Sequence, residues 1–283
     1  MKRIMKGLLV VAIGVILASV AMAYTGTYTP GAGINGTPHD INRNDTGMAY
    51  MSNPPDTDPA TGIVMDRICI YCHVAHNSYR LSPANGGPGA GVGSGPQAPD
   101  AYDYLPLWNH EPTLRYPFYT MYQNGPGAPQ TGAHASQAIL NGMTPGSSSL
   151  LCLSCHDGSV AVNSYGNTDQ PPPAPSGGGL TIANAYAVGR DDYLGNHHPI
   201  GFSYFDAWAI DDELRDPDAT MFTTVSTITD HLYGANGTLE CGSCHSVHNK
   251  GNGGERLLWR SDVHSELCLT CHDKGDYVPP TFP

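Results

Sequence analysis

Eight cysteines fall into four pairs, Cys69/Cys72, Cys152/Cys155, Cys241/Cys244 and Cys268/Cys271, and each pair is followed at once by a histidine: His73, His156, His245 and His272. The C-x-x-C-H run is the pattern of covalent c-type haem attachment. Two sulfurs three residues apart form thioethers to the porphyrin vinyl groups, and the adjoining histidine reaches the iron from the same side. The same cysteines would also serve four disulfides or two zinc ribbons. Neither of these demands a histidine at one fixed offset after all four pairs, so the pattern favours haem. The densest stretch runs from Cys241 to His272, where 27 residues separate two of these proximal histidines.

Thirteen histidines are present, so nine remain after the proximal four. A c-type iron takes its sixth ligand from histidine, from methionine or from neither, and that choice sets its chemistry. Nine spare histidines make bis-histidine ligation the economical reading. Such an iron is six-coordinate, offers no open position to a substrate and lies lower in potential than a His/Met iron. The chemistry predicted is therefore electron transfer. The methionines beyond the leader, Met48, Met51, Met65, Met121, Met143 and Met221, follow no pattern and read as gap-fillers.

The spare histidines differ in standing. His76 and His248 both complete the run C-x-x-C-H-x-x-H. A residue three beyond the proximal histidine shares its helix face and cannot curl to the far side of the same porphyrin. It can ligate a second haem stacked alongside. His198 precedes Pro199, which restricts the backbone that carries the imidazole. Its neighbour His197 reads as a bystander or a hydrogen-bonding support, and the two roles are open to exchange. His39, in Thr-Pro-His-Asp, is either a ligand or a solvated loop residue. His110, two residues after Trp108, reads as a ligand or as packing at a haem edge. His134, His231 and His264 sit in polar contexts and read mainly as surface residues, with His264 the nearest of the three to a haem motif.

The elements that must position these groups are short. Residues 1–23 read as a secretory signal peptide: Lys2, Arg3 and Lys6 precede an apolar run over 7–20 and the small-x-small site Ala21-Met22-Ala23. That run is too short for a membrane anchor, so an exported protein with no membrane span in its mature form is expected. Residues 24–60 read as an extended N-terminal arm. Residues 61–283 read as a tetrahaem domain with Gly/Pro-rich loops at 82–100 and 171–179. Glycine and proline number 34 and 24, and only 13% of residues are charged. The fold expected is mostly irregular coil with short α-helices at the motifs and little or no β-sheet. It is organised round a stack of four covalently bound haems c, which supply apolar volume that the chain lacks. The serines before Leu150 are expected to cap the helix of the second motif. A net charge of −12 argues against nucleic acid as a partner.

Taken in order, Thr-Pro-His39-Asp, CIYCHVAH, PLWNH, SLLCLSCHDGSVAV, NHHPIGFSY, LECGSCHSVHN and ELCLTCHDK resemble the extracellular multihaem c-type cytochromes, and most closely the tetrahaem, filament-forming OmcE-like family. The resemblance covers most of the chain after the leader, with the Gly/Pro-rich loops as insertions. It implies four bis-histidine haems in a near-continuous stack, with His39, His76, His198 and His248 as distal ligands and His110 and His197 in reserve. PLWNH departs from relatives that carry other residues after Trp-Asn, which sets His110 behind the other four. The resemblance also implies a head-to-tail homopolymer at the cell surface. In such polymers a histidine of one subunit completes a haem of the next, a role that falls to His39. The alternative is a monomeric periplasmic or surface shuttle between redox partner cytochromes or extracellular acceptors. A multihaem reductase ranks below both, because all four motifs end in histidine, and the chain is not expected to be an enzyme.

Overall fold

A computed structural model describes residues 33–34, 37, 39–41, 68–75, 108–110, 113, 115, 118–122, 139, 143, 145, 147–162, 164–165, 181–182, 187–250 and 257–274. The leader, most of the N-terminal arm, the loops at 82–100 and 171–179, and the expected positions of His76 and His134 lie outside the described residues.

Regular structure is confined to short pieces, as the composition predicts. Four helices are present among the described residues: α1 Ser147–His156, α2 Tyr204–Trp208, α3 Cys241–Cys244 and α4 Glu266–Cys271. Two strands of two residues each, β1 Phe202–Ser203 and β2 Thr238–Leu239, pair antiparallel with Phe202 opposite Leu239. Single 3-10 turns cover Ile68–Tyr71, Arg190–Asp192, Thr229–His231 and Val263–Ser265. The rest of the described chain is coil, turn and bend. No helix among the described residues is long and apolar enough to cross a membrane.

The three later motifs each carry an α-helix, whereas the first sits on the 3-10 turn Ile68–Tyr71. The serine expectation needs correcting. Ser147 to Ser149 lie inside the first turn of α1 and do not precede it. Ser149 is fully buried and reaches across to α3: its hydroxyl donates to the Glu240 carboxylate and accepts from the Cys241 backbone N–H at 3.0 Å. Glu240 precedes α3 and its own N–H donates to Ser243 Oγ at 3.0 Å. A serine that spans two motifs has no hydroxyl to spare for its own helix end.

The cores are small. Tyr119, Leu150, Leu153 and Leu194 pack around α1, with Met121 and Val188 against them. Tyr204, Phe222, Ile228 and Leu239 form a second cluster that gathers Phe202, Leu214, Trp259, Leu267 and Cys271. The Tyr204 hydroxyl anchors this cluster to the last motif by donating to the carbonyls of Arg215 (3.0 Å) and Cys271 (3.1 Å). The turn before β2 closes through reciprocal backbone bonds of 2.8 Å between Tyr233 and Thr238. It requires Gly237, whose φ is +60° and where a Cβ would stand 2.5 Å from Phe205 Cε2. β2 ends on Leu239 of the second cluster, immediately before Glu240 and the third motif.

Candidate haem sites

Each motif uses the same local geometry. The two cysteines, three residues apart, share one face of a single turn. The histidine N–H then bonds back to the first cysteine carbonyl: His73 to Cys69 at 2.8 Å, His245 to Cys241 at 3.0 Å and His272 to Cys268 at 3.0 Å. His245 and His272 leave their helices with nearly the same extended dihedrals, φ −100°, ψ 127° and φ −102°, ψ 128°. Isolated β-bridges hold the outgoing histidines: His73 to Trp108, His245 to Leu258 and Leu214 to His272. His156 stays on α1, and the chain beyond it is tied by Asp157 N to Leu153 O at 3.0 Å.

Three of the four proximal histidines lie against distal candidates at a repeated distance. The rings of His73 and His248 lie 6.1 Å apart at 23°, those of His156 and His39 6.1 Å apart at 70°, and those of His272 and His198 6.2 Å apart at 64°. Two metal–imidazole bonds of about 2 Å, plus about 1.1 Å from each nitrogen to its ring centre, span about 6.2 Å. The three gaps therefore fit an iron ligated from both sides. His76, the remaining distal candidate, lies outside the described residues. Among those residues no group of three or more His, Cys, Asp or Glu converges as a metal site, and all eight cysteines are free thiols. A covalently attached haem would be held by a cysteine pair and its proximal histidine, with the facing histidine as a second ligand.

The distal histidines are held in forms that suit ligation. His198 Nδ1 donates to the Pro199 carbonyl at 2.8 Å, which fixes the tautomer and leaves Nε2 as the acceptor nitrogen. Of the neighbours 197 and 198, it is His198 that meets His272. His197 is half-buried, and burial lowers its pKa. His39 is pushed down to about 4, mainly by burial and then by the charge of His156. His248 is lowered by burial and by the neighbouring His73. Neutral imidazole is the form that binds a metal. His39 sits against His156 of its own chain; the role expected for it in a neighbouring subunit is a separate matter of assembly.

His110 takes a different place. It is 1% exposed, with Nε2 3.0 Å from the Ala161 carbonyl and 3.2 Å from Cys155 Sγ. The ring packs beside the second motif. His231, expected at the surface, is half-buried: it stacks on Phe222 at 4.1 Å, meets Trp259 edge-on at 4.9 Å and bonds Ser226 Oγ at 2.9 Å. His264 is exposed, at φ +54° in the turn before α4.

The second and third motifs touch, and the cysteines of neighbouring motifs sense one another's charge. Cys72 and Cys155 interact across the first and second motifs, Cys152 hydrogen-bonds Cys241 across the second and third, and Cys244 interacts with Cys271 across the third and fourth. Burial pushes Cys72, Cys155 and Cys271 up to about 12 and Cys244 up to about 11. Thiols in that state are poor nucleophiles at neutral pH. Beside His156, the fully buried Asp157 carboxylate accepts from Tyr119 Oη at 2.6 Å, from Thr113 Oγ1, and from Ser159 N at 2.7 Å. Burial, and then Asp157, hold the Tyr119 hydroxyl well above its ordinary pKa. Sequence reasoning missed Asp157 and Glu240; the one signal for the first is the acidic residue directly after His156.

Residues 234–277 match the family model described as the doubled CXXCH motif. No curated protein matches the chain. The paired motif indicates a multihaem c-type cytochrome, one that binds haem covalently and transfers electrons.

Proposed function

We propose that the protein carries four bis-histidine haems c and passes electrons along them, without catalysing a reaction at any iron. The single observation that supports this best is the recurrence of one spacing, 6.1–6.2 Å, in three proximal–distal histidine couples. An iron held on both sides has no free position for a substrate, so its work is to change oxidation state. The fourth couple follows from reciprocity: if His248 of the third motif serves the iron of His73, then His76 of the first motif serves the iron of His245. The chain's part is to hold neutral imidazoles in register, bury the attachment cysteines and keep the motifs in contact.

The finer reading is an extracellular conduit: an exported subunit that polymerises head to tail, so that the haem series continues from one copy into the next. It draws on the resemblance to filament-forming tetrahaem cytochromes. The His39–His156 couple within one chain favours a second reading, a monomeric shuttle between redox partners. Electron microscopy of sheared surface fractions separates the two. Regular fibres containing this cytochrome support the conduit, and purely monomeric protein refutes it. In the conduit, His39→Ala yields monomers with one high-spin haem; unchanged fibres with four low-spin haems refute any ligating role for His39.

A further inference from the structure

Trp108 is 8% exposed, and its indole Nε1–H has no acceptor among the described residues. Buried indole N–H groups almost always find one. The other two tryptophans show the ordinary solutions: Trp259 Nε1 donates to the Gly242 carbonyl at 2.9 Å, and Trp208 is 39% exposed. Beside Trp108, the buried Asn109 gives its amide nitrogen to the Ile70 carbonyl at 2.5 Å. That bond ties the residue next to Trp108 to the first motif.

Its position points to what meets it. Trp108 is bridged backbone to backbone with His73, and its ring stands edge-on to the His73 imidazole at 6.1 Å and 89°. His73 is one half of the couple with His248, so Trp108 lies at the flank of the first haem site. A c-type haem offers few acceptors there. Its ring nitrogens are on the iron and its vinyl groups are thioethers, which leaves the two propionate carboxylates. Cations to meet them are scarce in a chain with 13 Lys and Arg against 25 Asp and Glu.

We propose that Trp108 Nε1–H is a hydrogen-bond donor to a haem propionate at the first site, and so positions that haem and tunes its potential. This rests on the haem reading above. A propionate that accepts a hydrogen bond exerts less negative field on its iron. Loss of the donor favours the oxidised, more positive iron and lowers the potential of one haem.

The test is Trp108→Phe, which keeps a ring and removes the donor. The full-length, haem-loaded protein is studied by resonance Raman scattering in the propionate-bending region and by spectroelectrochemical titration. Expected are an unchanged haem count, a shifted propionate band, and a three- to tenfold shift of one reduction equilibrium toward the oxidised form. At 59 mV per decade for one electron, that is about 30–60 mV downward. If the variant does not load haem, incorporation of benzothienylalanine at position 108, which keeps the bicyclic shape without the N–H, gives the same two readouts. A band and potentials that do not move overturn the proposal, and they are also the outcome if the N–H meets only water. A wild-type chain with no haem absorption fails the haem reading, whereas a loaded chain with unmoved potentials fails this contact alone.

Discussion

Replacing His248 with alanine removes one imidazole from the couple it forms with His73. The rings stand 6.1 Å apart and within 23° of parallel, a gap filled by two metal–nitrogen bonds of about 2 Å and two half-rings. An alanine methyl group falls short of the iron by about the width of the ring it replaces, and the iron of His73 loses its sixth ligand. It then turns from low-spin to high-spin. One of four motifs carries that iron, so the expected high-spin signal in the oxidised protein is about a quarter of the total by electron paramagnetic resonance. The identity of the affected iron comes from a second variant. Cys69→Ala with Cys72→Ala abolishes attachment at the first motif. Adding His248→Ala to it leaves three haems, all low-spin, because the iron that His248 served is gone. A high-spin signal that persists in the triple variant, or none in His248→Ala alone, refutes the pairing.

Other consequences follow from particular contacts. Asp157→Asn leaves Tyr119 and Thr113 without their anionic acceptor and should cost about 2 kcal/mol, read as a lower denaturation midpoint in urea. Gly237→Ala places a methyl 2.5 Å from Phe205 Cε2 at a φ of +60° and should cost about 1–3 kcal/mol, seen in the same assay. His39 responds to acid in a defined window. The unfolded chain takes up its proton near 6.5 and the folded chain only near 4, so the stability it contributes is full above 6.5 and is lost as pH falls toward 4. Urea midpoints of the haem-free chain should fall as pH is lowered from 6.5 to 4, and should fall less for His39→Ala. In the haem-loaded protein, His39→Ala should carry one high-spin haem at neutral pH.

Much of the site was legible because covalent attachment imposes a spacing. C-x-x-C-H fits one turn and needs no tertiary knowledge, so the cysteines and proximal histidines stand out in the chain. His76 and His248 are visible for a related reason, since a three-residue offset excludes the nearer iron. What the sequence does not carry is the pairing of residues far apart. His39 and His156 are brought together across 117 positions, and no local pattern encodes such a meeting. Pro199 favours His198 over His197 in the sequence but leaves their exchange open; in the structure it is the His198 ring that lies against His272. His231 sits among Thr, Asp and Ser, yet its ring is clamped by Phe222 and Trp259, because the chain folds an aromatic cluster over it from both sides. Ser149 of α1 follows the same rule: its hydroxyl is engaged by Glu240, 91 residues further on. Short helices and scarce strands were predictable from glycine and proline content, and the structure has them.

The central claim is that every iron in this protein is held by two histidines. Haem counting on the purified full-length protein, combined with electron paramagnetic resonance of its oxidised form, tests it most directly. The account predicts four haems per chain, all low-spin. Fewer than four haems, or a high-spin iron in the unmodified protein, contradicts it.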